Sequence, residues 1–351
     1  MSAAKRAHKP EAAPTPEALL AIVDRFRRKS IAVIGDLVLD EYWVGRSSRI
    51  SREAPVLILE HEGDRRVPGG AANAAMNVRS LGGVPLVVGR LGSDVAGLAL
   101  RKALRASGLG TSWLSRNGSG STIVKTRILA GSSHAARQQI VRLDRGHTEA
   151  LTRADERKLA HAARQAVRRA AAVLLSDYGY GVLSPSVRRA AIRDARRAGV
   201  PVVVDSRYDL RSYRGATLLT PNEHEVLEAL HLPSLKTPVL RRAGESLVND
   251  GGAQAVWITR GSDGMLLFER GNRPRGLSIV GSSDVADVTG AGDAVSATAA
   301  LALASGASQL EAAMLATYAA SVVVMKRGTA TVSKEELEEA IRTHAPPEIT
   351  R

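Results

Sequence analysis

The 351-residue chain contains no cysteine. That absence excludes disulfides, thiolate metal sites and cysteine nucleophiles, and it gives no argument for an oxidising compartment. Aromatic residues are scarce at 3 %, so alanine, valine and leucine must fill most of the core. No apolar run approaches bilayer-spanning length without charges. The opening segment "MSAAKRAHKPEAAPTPEALL" lacks the apolar stretch of a secretory signal. A cytoplasmic location with no membrane partner is the expectation. The common phosphate motifs are also missing. Neither GxxxxGKS/T nor GxGxxG occurs, so neither a Walker-type NTPase nor the usual dinucleotide fold is signalled.

Acidic charge is in deficit as well: 49 Lys+Arg against 35 Asp+Glu leave a net charge of +14. The arginines are spread through helical stretches such as "ADERKLAHAARQAVRRAAAV" and "SPSVRRAAIRDARRAG", with no aromatic residues interleaved. That pattern reads as solvated helix faces with a local preference for small anionic substrates, and not as a nucleic-acid surface.

The length suffices for one large α/β domain or two smaller ones. Residues 1–15, rich in Ala, Pro and Lys, read as a disordered tail. "TPEALLAIVDRFRRK" predicts a helix with Thr15 as N-cap and Pro16 in its first turn. "SIAVIGD" predicts a buried strand ending at a loop. Residues 41–68 and 122–145 alternate without helical period and predict two β segments. Between them, "GGAANAAMNVRSLGG" predicts a helix of small residues over 69–83. After 150, strands and helices alternate: helix 153–170, strand 171–177, helix 184–198, strand 201–206. Two Ala-rich helices follow near 292–305 and 308–326, and a last one near 334–343. This rhythm implies an α/β fold with a doubly wound, mostly parallel sheet flanked by helices. The early β segments would form a small lid. The expected organisation is one domain over 16–345, with 346–351 as a C-terminal tail.

Five segments carry candidate chemistry. In "DVTGAGD", the turn Gly290-Ala291-Gly292 leads into a helix N-terminus, whose free N–H groups and dipole suit an anion. Asp293 beside it could take a proton from a hydroxyl, or serve only as an N-terminal charge on a tight turn. In "GDLVLDEYW", Asp36 and Asp40 follow the first strand. There they suit the hydroxyls of a polyol or simply form a turn. In "PGGAANAAMN", Gly69 and Gly70 would let the backbone approach a ligand and Asn73 could bond a sugar hydroxyl; small-residue helix packing explains the same residues. In "TPNEHEVLEAL", Asn222 and Glu225 form an N-x-x-E pair that capping explains. The same hard oxygens suit Mg²⁺ through bridging waters. "ITRGSDG", with Thr259, Gly261 and Gly264, reads as a strand and polar turn of a hairpin.

Taken in this order, the five segments resemble the PfkB (ribokinase-like) family of sugar kinases, over about 30 to 335. The resemblance implies a ribokinase-like fold and ATP-dependent phosphoryl transfer, with Mg²⁺ and in some members K⁺. It implies Asp293 as catalytic base, with the amides of Gly290, Ala291 and Gly292 as anion hole. Asn222 and Glu225 fall on the family's magnesium–phosphate motif. Thr259 and Gly261 fall on its nucleotide-binding strand and turn, which also includes Gly264. Asp40 falls on the sugar-binding aspartate, with Gly69, Gly70 and Asn73 beside it. Asp287 and Thr289 match positions that help bind a monovalent cation in some members.

A narrower resemblance links "GDLVLDEYWVGRSSRISREAPVLILE", "RQQIVRLD", "LLSDYGYGVL", "YRGATLLTPNEHE" and "KRGTATVS" to heptose-7-phosphate kinases. These also form the kinase half of bifunctional ADP-heptose synthases. It implies D-glycero-β-D-manno-heptose 7-phosphate as substrate, the 1,7-bisphosphate as product, and a homodimer formed through the lid. No H-x-G-H occurs, so the kinase alone is expected. Arg49, Arg52, Lys125, Arg127 and Arg142, in or near the lid segments, are candidates for the substrate's phosphate. The chain departs from the family at Tyr180 and Arg207, where lysines are usual, at Ser206, where proline is usual, and at Ala294, where threonine is common. Arg and Lys are not equivalent at a phosphate site. The alternatives are a PfkB kinase for another sugar or nucleoside, or a non-catalytic sugar or nucleotide sensor on the same fold.

Overall fold

The computed structural model describes residues 13–117, 120–131, 137–146, 150–282 and 285–350. The expected N-terminal tail falls largely on residues 1–12, outside the described residues. The chain opens with α1 (Pro16–Asp24), capped by the Thr15 side chain, which accepts from the Ala18 N–H. It continues as β1 (Ser30–Gly35), β2 (Leu37–Ile50), β3 (Leu57–Gly70), α2 (Ala71–Ser80), β4 (Val84–Gly92), α3 (Val95–Ala106), β5 (Leu114–Asn117), β6 (Ile123–Gly131) and β7 (Gln138–Arg145). The second half comprises α4 (Arg153–Val167), β8 (Ala172–Asp177), α5 (Pro185–Ala198), β9 (Val202–Ser206), β10 (Leu218–Leu219), α6 (Glu223–Leu230), α7 (Thr237–Asn249), β11 (Ala255–Thr259), β12 (Met265–Glu269) and β13 (Arg275–Leu277). It ends with α8 (Ala291–Ala304), α9 (Gln309–Val323), α10 (Lys334–Thr343) and β14 (Ile349–Thr350).

The main sheet has the order β14-β13-β12-β11-β10-β9-β8-β1-β4-β5. It is parallel from β5 to β11 and antiparallel from β11 to β14. Residues 349–350 are therefore not a free tail: they pair with β13 and close the sheet edge. The strands alternate between two cores, as period-2 geometry requires. Ile31, Val33, Leu174 and Val203 join one core with α2, α8 and α9. Ala32, Ile34, Val173, Leu175, Val202 and Val204 join the other with α4, α5 and α7. Helices thus cover both faces, as a doubly wound sheet demands. Among the described residues no helix is long and apolar enough to cross a membrane.

The lid is a separate four-stranded sheet, β3-β2-β6-β7. Its first two strands run from Leu37, just after β1, to Gly70, longer than the sequence pattern predicts. Its base is fastened to the main body. The Tyr42 hydroxyl accepts from the Thr329 N–H at 2.6 Å, and the Thr329 hydroxyl donates to Asp40 at 2.7 Å. On the opposite lid face Glu41 is buried between Arg66, Arg145 and Thr126.

Helix α8 explains the composition. Every residue from Asp293 to Ala302 is buried, so the helix has no solvent face. It packs between the sheet and α9 and α2, and alanines keep those neighbours close. Ala297→Leu is expected to overpack this seam and lower stability by about 1–3 kcal/mol, read from urea unfolding. An unchanged midpoint would show that the seam has spare room.

Candidate active site

Open α/β sheets bind ligands beyond the carboxyl ends of their strands, where the winding direction reverses. Here the reversal lies between β1 and β8: from β1 the chain moves outward to β4 and β5, then returns to β8 on the other side. Asp36 sits at that point, but its carboxylate is occupied by backbone. It accepts from the N–H groups of Tyr178 (2.9 Å), Tyr180 (3.0 Å) and Val182 (3.0 Å). Burial and the nearby Asp177 charge raise its pKa to about 6, against the pull of those three amides. Asp36 is a clamp for the loop after β8 and is absent from the cavity lining.

A cavity of about 290 Å³ opens beside it. Its lining joins Val38, Asp40, Gly70, Lys125, Arg127 and Arg142 from the lid and its base to Asp177, Tyr178, Asp205 and Arg207 from the main sheet. Thr220, Asn222, Glu225, Thr259, Val288, Thr289, Gly290, Gly292, Asp293 and Thr329 complete it. Residues separated by almost the whole chain thus share one space.

Asp293 lies in the first turn of α8. Gly290 precedes the helix at φ 87°, a left-handed conformation that favours glycine. A Cβ there would also stand 2.9 Å from the Asn73 side-chain nitrogen. The Ala291 N–H donates to the Val288 carbonyl, which takes one of the three expected anion-hole amides. The Gly292 and Asp293 amides make no hydrogen bond among the described residues and remain available to an anion. The Asp293 carboxylate is 5 % exposed. Its Oδ2 accepts from Asn73 Nδ2 at 2.8 Å and its Oδ1 from the Tyr178 hydroxyl at 2.9 Å. Burial and the Asp205 charge raise its pKa to about 7, while those two donors pull it back. A carboxylate poised there suits proton transfer near neutrality.

On the lid side, Asp40 is buried and held at both oxygens. Arg127 donates to Oδ1 at 2.7 Å and Thr329 to Oδ2 at 2.7 Å. Gly69 clears the space for this carboxylate; a Cβ at that position would fall 2.3 Å from Asp40 Oδ2. Lys125 is 6 % exposed and has no hydrogen-bonding or ion-pair partner among the described residues. Its ammonium lies over the rings of Tyr178 and Tyr180, at 5.1 and 5.5 Å from their centroids. Burial, followed by the Arg207 charge, lowers its pKa. Arg142 lines the same space and pairs with Asp144. Arg49 and Arg52 are not brought there; Arg49 lies exposed near the far end of β2, and Arg52 in the exposed turn beyond it.

On the opposite side, Asn222 and Glu225 form a reciprocal capping box at the start of α6. The Asn222 N–H donates to Glu225 Oε2 at 2.8 Å, and the Glu225 N–H to Asn222 Oδ1 at 2.9 Å. Both residues nonetheless line the cavity. Burial raises the Glu225 pKa, and burial together with the Glu225 charge raises that of Asp205. Arg207 is the cation between them, at 4.0 Å from Glu225. Crowded carboxylate oxygens with little positive charge fit a hard divalent cation. Among the described residues no cluster of three or more His or acidic side chains forms a metal cage, so such an ion would keep most of its waters. Thr259 lines the cavity, whereas Gly261 and Gly264 belong to the 3-10 turn beyond β11 and do not. The Asp287 carboxylate accepts from the Thr289 and Gly328 amides, both at 2.9 Å. It ties the turn before α8 to the loop that carries Thr329.

Tyr178, Asp205 and Thr329 had no chemical role in the sequence reading. Their signals were the motif departures around Asp177-Tyr178 and Asp205-Ser206-Arg207, and the segment "KRGTATVS".

Residues 28–336 match the family model for pfkB family carbohydrate kinases. The bifunctional protein HldE of Gluconobacter oxydans is 40 % identical over 327 residues, covering 93 % of this chain and 67 % of that protein. The bifunctional protein HldE of Azorhizobium caulinodans is 42 % identical over 317 residues, covering 90 % and 65 %. The chain spans about two thirds of the length of these curated relatives. Ribokinase of Arabidopsis thaliana, complexed with ribose and ATP, superposes with a TM-score of 0.68 at 22 % identity, covering 90 % of this chain and 99 % of that one. Phosphofructokinase-2 from Escherichia coli, in complex with potassium, gives 0.70 at 19 % identity, covering 90 % and 98 %. At those identities the likeness is one of fold.

The raised pKa of Asp293 has a stability consequence. Burial disfavours the ionised form, so its cost is absent well below the unfolded pKa near 4. It grows as pH rises towards 7 and is constant above. Asp293→Asn is expected to unfold later than the parent at pH 8, by about 1–3 kcal/mol, with the difference narrowing towards pH 5. Thermal unfolding at the two pH values checks this; a difference that widens on acidification would contradict the assigned cause.

Proposed function

The chain belongs to the pfkB family of carbohydrate kinases, and from that premise we propose that it moves the γ-phosphate of ATP to the anomeric hydroxyl of D-glycero-β-D-manno-heptose 7-phosphate. The products would be the 1,7-bisphosphate and ADP. One observation carries the reading: a buried carboxylate with pKa about 7, Asp293, sits at a helix N-terminus between a polyol-type site at Asp40 and an acidic site at Asn222 and Glu225. Identity of about 40 % to HldE proteins supports the heptose assignment.

In this reading Asp40 and Gly70 hold the sugar, while Asn73, expected beside it, lies outside the cavity lining and donates to Asp293 instead. Asp293 Oδ1 or Oδ2 takes the hydroxyl proton as the oxygen attacks phosphorus, and the phosphorus–oxygen bond to ADP breaks. The Gly292 and Asp293 amides face the negative charge on the transferring group. Mg²⁺, held through water by Asn222 and Glu225, would neutralise phosphate charge. The nucleotide would extend towards Thr259 and the turn at Gly261 and Gly264. Asp287, with Thr289, is where a monovalent cation such as K⁺ would sit. Lys125, a desolvated cation with no hydrogen bond or ion pair among the described residues, is the first candidate for the sugar's own phosphate, with Arg142 beside it. The protein would act in the cytoplasm.

A homodimer through the lid belongs to the same proposal. Trp43, Ile128 and Val141 lie in register across β2, β6 and β7, next to the row Glu41, Thr126 and Leu143. Trp43, Val141 and Leu143 are exposed, which leaves an apolar patch on this lid face beside the Glu41–Arg66–Arg145 cluster.

The test is ATP turnover with Mg²⁺, with and without heptose 7-phosphate. The sugar phosphate is expected to stimulate turnover, and Asp293→Asn to lower kcat by about 10²–10⁴-fold. The activity should fall below about pH 7 as Asp293 takes up a proton. Stimulation by another sugar alone would remove the heptose assignment and keep the kinase. ATP binding without turnover on any sugar would favour a sensor. Lys125→Met is expected to raise KM for the sugar phosphate by about 10–100-fold while leaving KM for ATP unchanged; equal effects on both would place the lysine elsewhere in the mechanism.

A further inference from the structure

Tyr178 joins two parts of the cavity that the proposed reaction uses separately. Its hydroxyl donates to Asp293 Oδ1 at 2.9 Å. Its ring packs against two cations, with the Arg207 guanidinium 4.6 Å and the Lys125 ammonium 5.1 Å from the centroid. Its backbone N–H is fixed by Asp36, so the side chain leaves a clamped loop. Burial and the charge of Asp293 hold the phenol's pKa well above its ordinary value. The hydroxyl therefore stays protonated at any working pH. It can donate to the Asp293 carboxylate and cannot replace Asp293 as the base.

The surroundings of Asp293 make that donation consequential. Asn73 from α2 donates to the other oxygen, while Asp205 from β9 and Asp40 from β2 add negative charge. Among the described residues, the side chains that donate to the Asp293 carboxylate are Asn73 and Tyr178. Lys125 and Arg207 lie instead against the ring of Tyr178. Two cations over a tyrosine are attracted to its π-face. They also repel one another, and Asp40 and Asp144 attract Lys125 only at a distance, with no hydrogen bond or ion pair to it among the described residues. An anionic group arriving between them would relieve that repulsion against the ring.

We propose that Tyr178 is a positioning residue: its hydroxyl orients the ionised Asp293 carboxylate, and its ring supports Lys125 and Arg207 as a seat for the phosphate of an anionic sugar. The inference rests on the kinase reading above and assigns Arg207 and Tyr178 roles that reading does not. It also gives the departure from lysine at Arg207 a function, since a guanidinium can lie on the ring and still present donors to a phosphate.

Two variants separate the hydroxyl from the ring. Tyr178→Phe keeps the ring. It is expected to leave KM for the sugar phosphate within about twofold, lower kcat by about tenfold or more, and move the acid limb of the pH profile upward by about one unit. Tyr178→Leu is expected to raise KM for the sugar phosphate as well, with KM for ATP unchanged. Unchanged kcat and an unchanged acid limb in Tyr178→Phe would overturn the proposal. A direct titration is independent of turnover: carbon-13 NMR of the aspartate carboxyls, with Asp293 identified as the resonance missing from Asp293→Asn. An upward shift of that titration in Tyr178→Phe supports the inference even if no sugar is phosphorylated, and an unmoved titration sinks it. Calorimetry with inorganic phosphate reads the seat alone. Binding to the parent that is weakened at least tenfold in Lys125→Met and in Arg207→Met is expected, and equal binding by all three would remove the seat.

Discussion

The cost of burying one carboxylate organises this molecule. Asp293 sits almost without solvent at the start of a helix that is itself buried on all sides. An ionised acid there is expensive unless donors surround it. The structure supplies Asn73, Tyr178 and the dipole of α8, yet burial first and the Asp205 charge second hold its pKa up at about 7. A more complete set of donors would give a firmly ionised and weaker base. Fewer donors would give an acid unable to accept a proton at neutral pH. Stability is traded for a chemically useful pKa.

The same logic governs how the two sheets are joined. The lid begins one residue after β1, so the position of its first strand is dictated by the central sheet. Tyr42 and Asp40 on that strand are bonded to Thr329, which follows α9. Asp287 bonds the neighbouring Gly328 and the turn before α8. A single chain of hydrogen bonds therefore runs from the lid base to the helix that carries Asp293. The position of the lid and that of Asp293 share these contacts.

Charge is distributed in the cavity by side. Lys125, Arg127 and Arg142 come from the lid; Asp205 and Glu225 come from the main sheet and α6, with Arg207 between. An anionic sugar and a cation-bearing nucleotide would each meet the complementary side. The overall charge of +14 adds a weak, salt-screened attraction for anions, but the ordering within the cavity comes from individual residues.

Much was legible in the chain before folding. The strand–helix rhythm gave the doubly wound sheet, "DVTGAGD" gave the candidate base and its turn, and the early alternating segments gave the lid, because these are local patterns with fixed periods. Asn222 and Glu225 illustrate the limit. Their spacing announces a capping box, which the structure contains, but nothing local says that the same pair lines a cavity with Asp293. Asp36 shows the converse: it looks like a ligand group by position and is consumed by three amides from a loop more than 140 residues away. Tyr178, Thr329 and Asp205 lie in segments that match or depart from the family's motifs, but their chemical role arises only when the reversal between β1 and β8 brings distant loops together. Sequence determined the elements and the reactive residue types, since those follow from neighbours along the chain. Tertiary structure alone decided which polar groups would be satisfied by protein and which would stay unpaired and facing the cavity, since desolvation and long-range contact exist only once the chain has folded.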